Sequence, residues 1–520
     1  MKTMKQRKSY ITAIALVALA LTGCNDWLRE EAPGSTQLGD FFSNGQTAVQ
    51  SANACYSPLA WEFHGTYCPE WFVGDVASDD AVKGGQSTSD MADAYDIENF
   101  KTVASNGLLL DYYRAQYQGI ARCNFVLDNV PSMPTDTTLT EGLKNRCLGE
   151  ARFLRAYYHF RLVRMFGDVP LMTKVITSSD QWKQPRESAA KVYEQILTDL
   201  EEAEKMLPAK SELAAEDVGR ATKGAAQAML LKVNLYLKNH SEAKTWGEKI
   251  VLSGEYDLFD NYNDNFLLEH ENGIESVFEV QYIDDPTSDY NEGFGFTRGT
   301  FTTILTRSRS TVFSQGNAGW GFNKPSQDLY DEFEEGDPRR EYTILTPTNE
   351  EMDTPEQEIY LGCRYLARKY ANLDSAGNYL SLSHHTRGEQ NRREIRYADV
   401  LLMYAEACIG SNTDLDKAKW AINEVRSRVG LGEVEATEEN LRHERRVELA
   451  MEGHRWFDLC RWGIVGEVMN AYKAAYGEDN PNGNIEGTHM ENFVVGKHEL
   501  MPIPAEEVRL GSLTQNNGYY

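Results

Sequence analysis

The sequence predicts a mainly α fold, with helix pairs repeated along a scaffold and one long loop-rich half inserted between them. Three observations predict it. Apolar residues recur at helical spacing in two separated regions, about 40–255 and about 395–475. Within those regions a helix–turn–helix unit occurs twice. Between about 255 and 395 the helical period fades, and Gly, Asn, Asp, Ser and Pro punctuate short segments.

The elements follow in chain order. Lys2, Lys5, Arg7 and Lys8 precede an apolar run from Ile11 to Leu21, too short to span a bilayer, which takes ~20 apolar residues. Residues 1–23 therefore read as a secretory leader. Leu21-Thr22-Gly23-Cys24 closes it as a bacterial lipobox, with Cys24 the residue to be acylated. The expectation is a chain anchored to a membrane by lipid, with residues 24–520 forming a single domain.

In the first helical region Tyr113, Tyr117, Ile120 and Leu127 share a face. From about 145 to 166 the pattern is apolar nearly all round, which predicts a buried helix, and Val192, Ile196, Ala203 and Leu207 form a further stripe. The repeat comes next: Ala226, Met229, Leu230, Val233 and Leu237, a short polar turn, then Ala243, Trp246, Gly247 and Ile250. Much later, Leu401, Ala405 and Cys408 are followed by Ala418, Ala421, Ile422 and Val425. With small residues at the contacts, these units resemble tetratricopeptide repeats. Thr437 is a good N-cap, followed by Glu438 and Glu439 in the first turn, and a third helix pair is expected from there to Gly453. Inside the loop-rich half, Ser276–Tyr282 alternates as a strand does.

Charge and cysteine content exclude several functions. The net charge is −27, and removing the leader with its four cations takes it to −31. A chain this acidic lacks the basic face that nucleic acid requires. Apart from Cys24, the seven cysteines form no CxxC pair, so neither a disulfide framework nor a zinc site is indicated. No HExxH occurs, and His384-His385 reads as a solvated loop pair. Asp260–Asn265 has calcium-loop spacing, but Tyr262 stands where an oxygen ligand belongs. No metal and no cofactor is expected.

Several segments, in order, resemble the SusD/RagB-type nutrient-binding lipoproteins of the outer membrane. They are Leu38-Gly39-Asp40-Phe41-Phe42, Tyr117-Gln118-Gly119-Ile120-Ala121-Arg122-Cys123-Asn124, and Glu150-Ala151-Arg152-Phe153-Leu154-Arg155-Ala156-Tyr157 with Phe166-Gly167-Asp168-Val169-Pro170-Leu171. Further on come Gly336-Asp337-Pro338-Arg339, Ile395-Arg396-Tyr397-Ala398-Asp399, Glu444-Arg445-Arg446-Val447-Glu448-Leu449, Arg455-Trp456-Phe457-Asp458-Leu459 and Pro502-Ile503-Pro504. The resemblance implies about four tetratricopeptide-like helix pairs carrying a ligand-binding half. It implies a surface location on the outer membrane and a SusC-type TonB-dependent transporter as partner. It also implies a non-catalytic role, binding oligosaccharide or, in the RagB branch, peptide. Read physically, Glu444, Glu448 and Glu452 lie one helical turn apart and call for buried cationic partners, with Arg152 and Arg155 as candidates.

Sugar binding needs an exposed aromatic face for the ring's C–H side and fixed polar groups for its hydroxyls. Two stretches supply both kinds. Trp61–Asp80 contains Trp61, Asp79 and Asp80, and Tyr290–Phe322 contains Tyr290, Phe296, Arg298 and Trp320. Those seven are the candidate ligand residues, with Trp320 favoured because glycines flank it. A peptide cleft and a surface glycosidase remain the alternatives. The second requires two carboxylates across a cleft, which the spacing alone does not place.

Overall fold

The computed structural model describes residues 41–62, 69–178, 181–286, 298–352, 358–478 and 485–519. The leader and Cys24 lie outside them.

Eleven helices with strong start signals or long apolar faces build the scaffold. They are α1 (Gly45–Tyr56), α2 (Gly107–Asn129), α3 (Glu141–Phe166), α4 (Ala189–Met206), α5 (Lys223–Tyr236) and α6 (His240–Val251), then α7 (Tyr397–Ser411), α8 (Leu415–Arg428), α9 (Glu438–Glu448), α10 (Arg455–Trp462) and α11 (Val465–Tyr476). Asn44, Asn106, Thr140, Ser188, Thr222 and Thr437 each cap a helix by accepting from a backbone N–H in its first turn. The helix expected over 145–166 is the buried half of α3, whose side chains are covered almost continuously from Cys147 to Phe166.

From α2 to α8 each helix packs on the next. The two repeat units, α5–α6 and α7–α8, are far apart in sequence yet adjacent in space, because α6 lies against α7. The small residues explain how closely. A Cβ on Gly247 would sit 2.7 Å from the Tyr404 ring, and one on Gly410 would sit 2.4 Å from the His240 ring. The third pair expected from Thr437 to Gly453 is a single helix there, α9. Its successor α10 begins only after the Gly453 turn, where φ is +79°.

Four short strands matter to the site: β1 (Ala81–Gly84), β2 (Ser276–Val280), β3 (Phe322–Pro325) and β4 (Arg392–Arg396). β1 pairs antiparallel with β3, and β2 with β4. The strand expected at Ser276–Tyr282 is β2, though it is buried on both faces rather than on one. One continuous apolar core runs from α1 through the scaffold into Phe278, Ile304, Phe322 and Ile395 of the loop-rich half.

The glutamates expected to need cations have them, but not the expected ones. Arg152 and Arg155 bind Asp199 of α4. Glu448 instead accepts from Arg339 (3.1 Å), Arg396 (2.9 Å) and Arg428 (2.6 Å), all essentially buried. Glu444 takes Arg339 and Arg426, and Glu452 takes Arg396 and Lys369. These cations come from the loop-rich half, β4 and α8. The acidic face of α9 is therefore a junction between scaffold and insertion.

Candidate functional site

The two stretches singled out for ligand binding fold against one another. Glu62, near the start of the first, is 1% exposed and collects donors from the second and from Tyr282 and Arg392 on either side of it. Its carboxylate accepts from the hydroxyls of Tyr282 (2.7 Å) and Thr300 (2.7 Å), from the N–H groups of Phe301 (2.9 Å) and Thr302 (3.1 Å), and from Arg392 (3.1 Å). Burying a carboxylate is costly unless its lone pairs are filled and a cation is near, and Glu62 has both. Trp71 adds an indole N–H bond to Thr302 Oγ1 (3.2 Å), and β1 pairs with β3 just beyond. Nothing in the sequence marks Glu62. A lone acid between Trp61 and Phe63 has no periodic partner, and its donors lie more than 200 positions away.

The candidate residues separate into three groups. Tyr290 and Phe296 lie outside the described residues. Arg298 is open to solvent, with 62% of its side chain exposed and Nη1 3.4 Å from Asp285. It stands at the mouth of a 390 Å³ cleft with Ile283, Gln281, Arg220, Val218 and Tyr56. Trp320 is half-buried against the core, and its carbonyl accepts from Arg309. Its neighbouring glycines serve the backbone rather than the ring. A Cβ on Gly319 would meet Arg307 Cβ at 2.4 Å, and Gly321 adopts φ +68°.

The remaining three are turned inward, which corrects the expectation that they face ligand. Trp61 is fully buried beneath the Arg122 guanidinium, 4.9 Å from its ring. Asp79 binds Arg455 (2.7 Å) and Arg446 (3.0 Å), and Asp80 binds Arg446 (2.7 Å). Both carboxylates are 1% exposed. Burial pushes the Asp79 carboxyl up, but Arg446 and Arg455 overcome it and hold it at about 2. Burial wins at Asp80, which is raised to about 6 against the same two arginines. A carboxyl pair split in this way would suit acid–base chemistry in an open cleft. Here the pair ties β1 to α9 and α10. His384 is likewise buried, against the expectation of a solvated pair, with Thr386 N–H donating to its Nδ1. Among the described residues no cluster of His, Cys, Asp or Glu is arranged to hold a metal ion.

Asp75, bonded to Asn323 and to the Gly453 N–H, carries a pH signature. Burial raises its carboxyl to about 7, against hydrogen bonds from Asn323 and the Gly453 N–H. The folded chain thus holds a proton that the unfolded chain, titrating near 3.9, has lost. The associated stability is complete below about pH 4 and is lost as pH rises towards 7 and above. Among the described residues Asn323 Oδ1 has no partner, so a flipped amide can accept from a protonated Asp75 or from an asparagine in its place. Asp75→Asn is therefore expected to gain stability relative to the parent between pH 5 and pH 8, on the order of 3 kcal/mol. Urea midpoints of both proteins at the two pH values measure it, and parallel pH dependence would refute the assignment.

Comparison with known proteins matches the chain in two segments. The family model described as "Starch-binding associating with outer membrane" matches residues 42–235, and that described as "SusD family" matches 274–519. SusD-like protein P38 of Formosa agariphila is 27% identical, over 90% of this chain and 94% of its own. A solved structure named as a laminarin binding SusD-like protein superposes with TM-score 0.77 at 29% identity, covering 92% of this chain and all of its own. Surface glycan-binding protein A from Bacteroides thetaiotaomicron, solved in complex with laminarihexaose, gives TM-score 0.76 at 26% identity, covering 91% and 99%. With the helical-repeat scaffold, the matched segments and these neighbours in agreement, the chain belongs to the SusD family.

Proposed function

We propose that this chain captures oligosaccharide at the cell surface, held to the outer membrane by lipid on Cys24, and passes it unaltered to a SusC-type TonB-dependent transporter. The observation that carries the reading is the convergence of the two aromatic-rich segments at Glu62, on a scaffold shared with structures named for laminarin and laminarihexaose. A rigid repeat body with irregular loops gathered on it is the arrangement expected of a binding site. Arg298 and Trp320 are the proposed ligand contacts, one supplying a guanidinium for hydroxyls and the other an aromatic face. A non-catalytic role agrees with the burial of Asp75, Asp80 and Glu98, three carboxyls of raised pKa that a glycosidic bond cannot reach.

Calorimetric titration of the soluble form, starting at Asn25, with laminari-oligosaccharides and then other glycans tests this. Saturable heat with the glycan recovered uncut is the expected result. Trp320→Ala and Arg298→Ala are each expected to weaken binding about tenfold, near the upper range of a single aromatic or charge-assisted contact. Products of hydrolysis would overturn the non-catalytic reading. Heat from mixed peptides alone would overturn the glycan assignment.

A further inference from the structure

The sequence offers no CxxC pair, yet the fold brings two distant cysteines together. Cys55 stands in the last turn of α1 and Cys123 on the buried face of α2. Their thiols lie within side-chain hydrogen-bonding reach of one another, and both residues are fully buried.

Three contacts that do not involve the sulfurs hold this approach in place. Arg122 Nη1 donates to Ala54 O (3.2 Å), so the residues immediately before the two cysteines are bonded to each other. Tyr158 of α3 donates its hydroxyl to Cys55 O (2.7 Å). The same ring lies against α2 one turn before Cys123, where a Cβ on Gly119 would sit 2.3 Å from it. One side chain of α3 therefore gathers the end of α1 and the Cys123 turn of α2 at a single point.

We propose that Cys55 and Cys123 are joined by a disulfide in the exported protein. The inference rests on the surface location proposed above, because thiols are kept reduced in a cytoplasm and oxidise outside it. The step is thiol–disulfide exchange with an oxidoreductase that carries a disulfide. One cysteine attacks that bond as thiolate, the second resolves the mixed disulfide, and the oxidant leaves as a dithiol holding both electrons and both protons. Burial pushes the Cys55 thiol well up in the folded chain, which opposes thiolate formation there. The exchange thus belongs to folding, before α1 closes on α2, and the finished bond is shielded from reductant. The bridge closes the stretch that contains Glu62, Trp71, Asp79 and Asp80, and Arg122 next to it covers Trp61. It ties the base of the first candidate segment to the scaffold and restricts the unfolded chain.

The test uses the full chain expressed with its leader. Cells are quenched with N-ethylmaleimide in denaturant, and the chain from the outer-membrane fraction is digested and read by mass spectrometry. The expected result is a linked peptide pair in which Cys55 and Cys123 carry no label. Cys147 of α3, Cys408 of α7 and Cys460 of α10 are expected to be labelled and serve as internal controls. In parallel, the soluble form starting at Asn25 is refolded in a glutathione redox buffer, where the same bridge is expected. Labelled Cys55 and Cys123 in the membrane fraction would overturn the proposal, whatever refolding gives. Linkage of either one to another cysteine, Cys68 included, would also overturn it. A chain that forms the bridge on refolding but never reaches the outer membrane would sustain the pairing and overturn the surface location instead.

Discussion

Replacing Glu448 by glutamine is expected to destabilise the chain by about 3–5 kcal/mol, the cost of removing one partner from a buried ionic network. The carboxylate satisfies Arg339, Arg396 and Arg428 together, and its removal leaves their charge in a region with almost no access to water. A neutral amide also brings an N–H group to a site where every neighbour donates. Burial acts to raise the Glu448 carboxyl, but Arg428, Arg396 and Arg339 reverse that and hold it far below the ordinary range. Glu452 and Asp458 are held at about 2, against burial, by Arg396 with Lys369 and by Arg445 with Arg461. For such depressed groups the stabilisation is complete above about pH 4.5 and is lost as pH falls towards the folded values. Chemical denaturation at pH 7 measures the first effect, and acid unfolding below pH 4 the second. Glu438, paired with Arg442 in the open, is the control, and its glutamine variant is expected to change stability by less than about 1 kcal/mol. A Glu448→Gln protein as stable as the Glu438→Gln control would refute the central role of the network.

The second large effect is expected on binding. Glu62→Gln keeps shape and volume but turns one of two acceptor oxygens into a donor. In one orientation that donor confronts the Phe301 and Thr302 N–H groups, and in the other it confronts Arg392 and the Tyr282 hydroxyl. A buried donor facing donors forfeits about 1–3 kcal/mol and more beside a charge. The turn from Thr300 to Thr302 is where that loss is expected to show, as faster hydrogen exchange there. Glycan affinity is expected to fall by at least tenfold while helical content stays constant, because the hub sets where the two segments meet. Calorimetry beside hydrogen exchange separates the outcomes. Loosened exchange with unchanged affinity would detach the hub from the binding site, and unchanged values for both would dismiss it as an organising residue.

Much of the scaffold was legible because helix signals are local. Thr437 announces its cap, and Gly247 sits where two helices touch. The buried face of α9 was legible only in part. Its glutamates declared a need for cations, but Arg339, Arg396 and Arg428 lie 20 to 109 positions away and no periodicity connects them. The site was harder still. Asp79 and Asp80 have the composition of ligand residues, and only three-dimensional packing shows that Arg446 and Arg455 already occupy them. An aromatic or acid in a loop looks the same in sequence whether it faces water or holds the loop down.

The β2–β4 ladder has a bearing on how such a chain can diversify. Because Val280 and Arg392 are register partners, everything between them leaves the body and returns to it at neighbouring points. The intervening sequence resembles a cartridge seated in a socket, since its two ends are already held together. Once closed, a loop costs only about 0.6 kcal/mol more for each doubling of its length. Recombination or drift can thus exchange the segments that do not carry Arg339, Lys369 or β3 for longer, shorter or chemically different ones while the helical body is inherited intact.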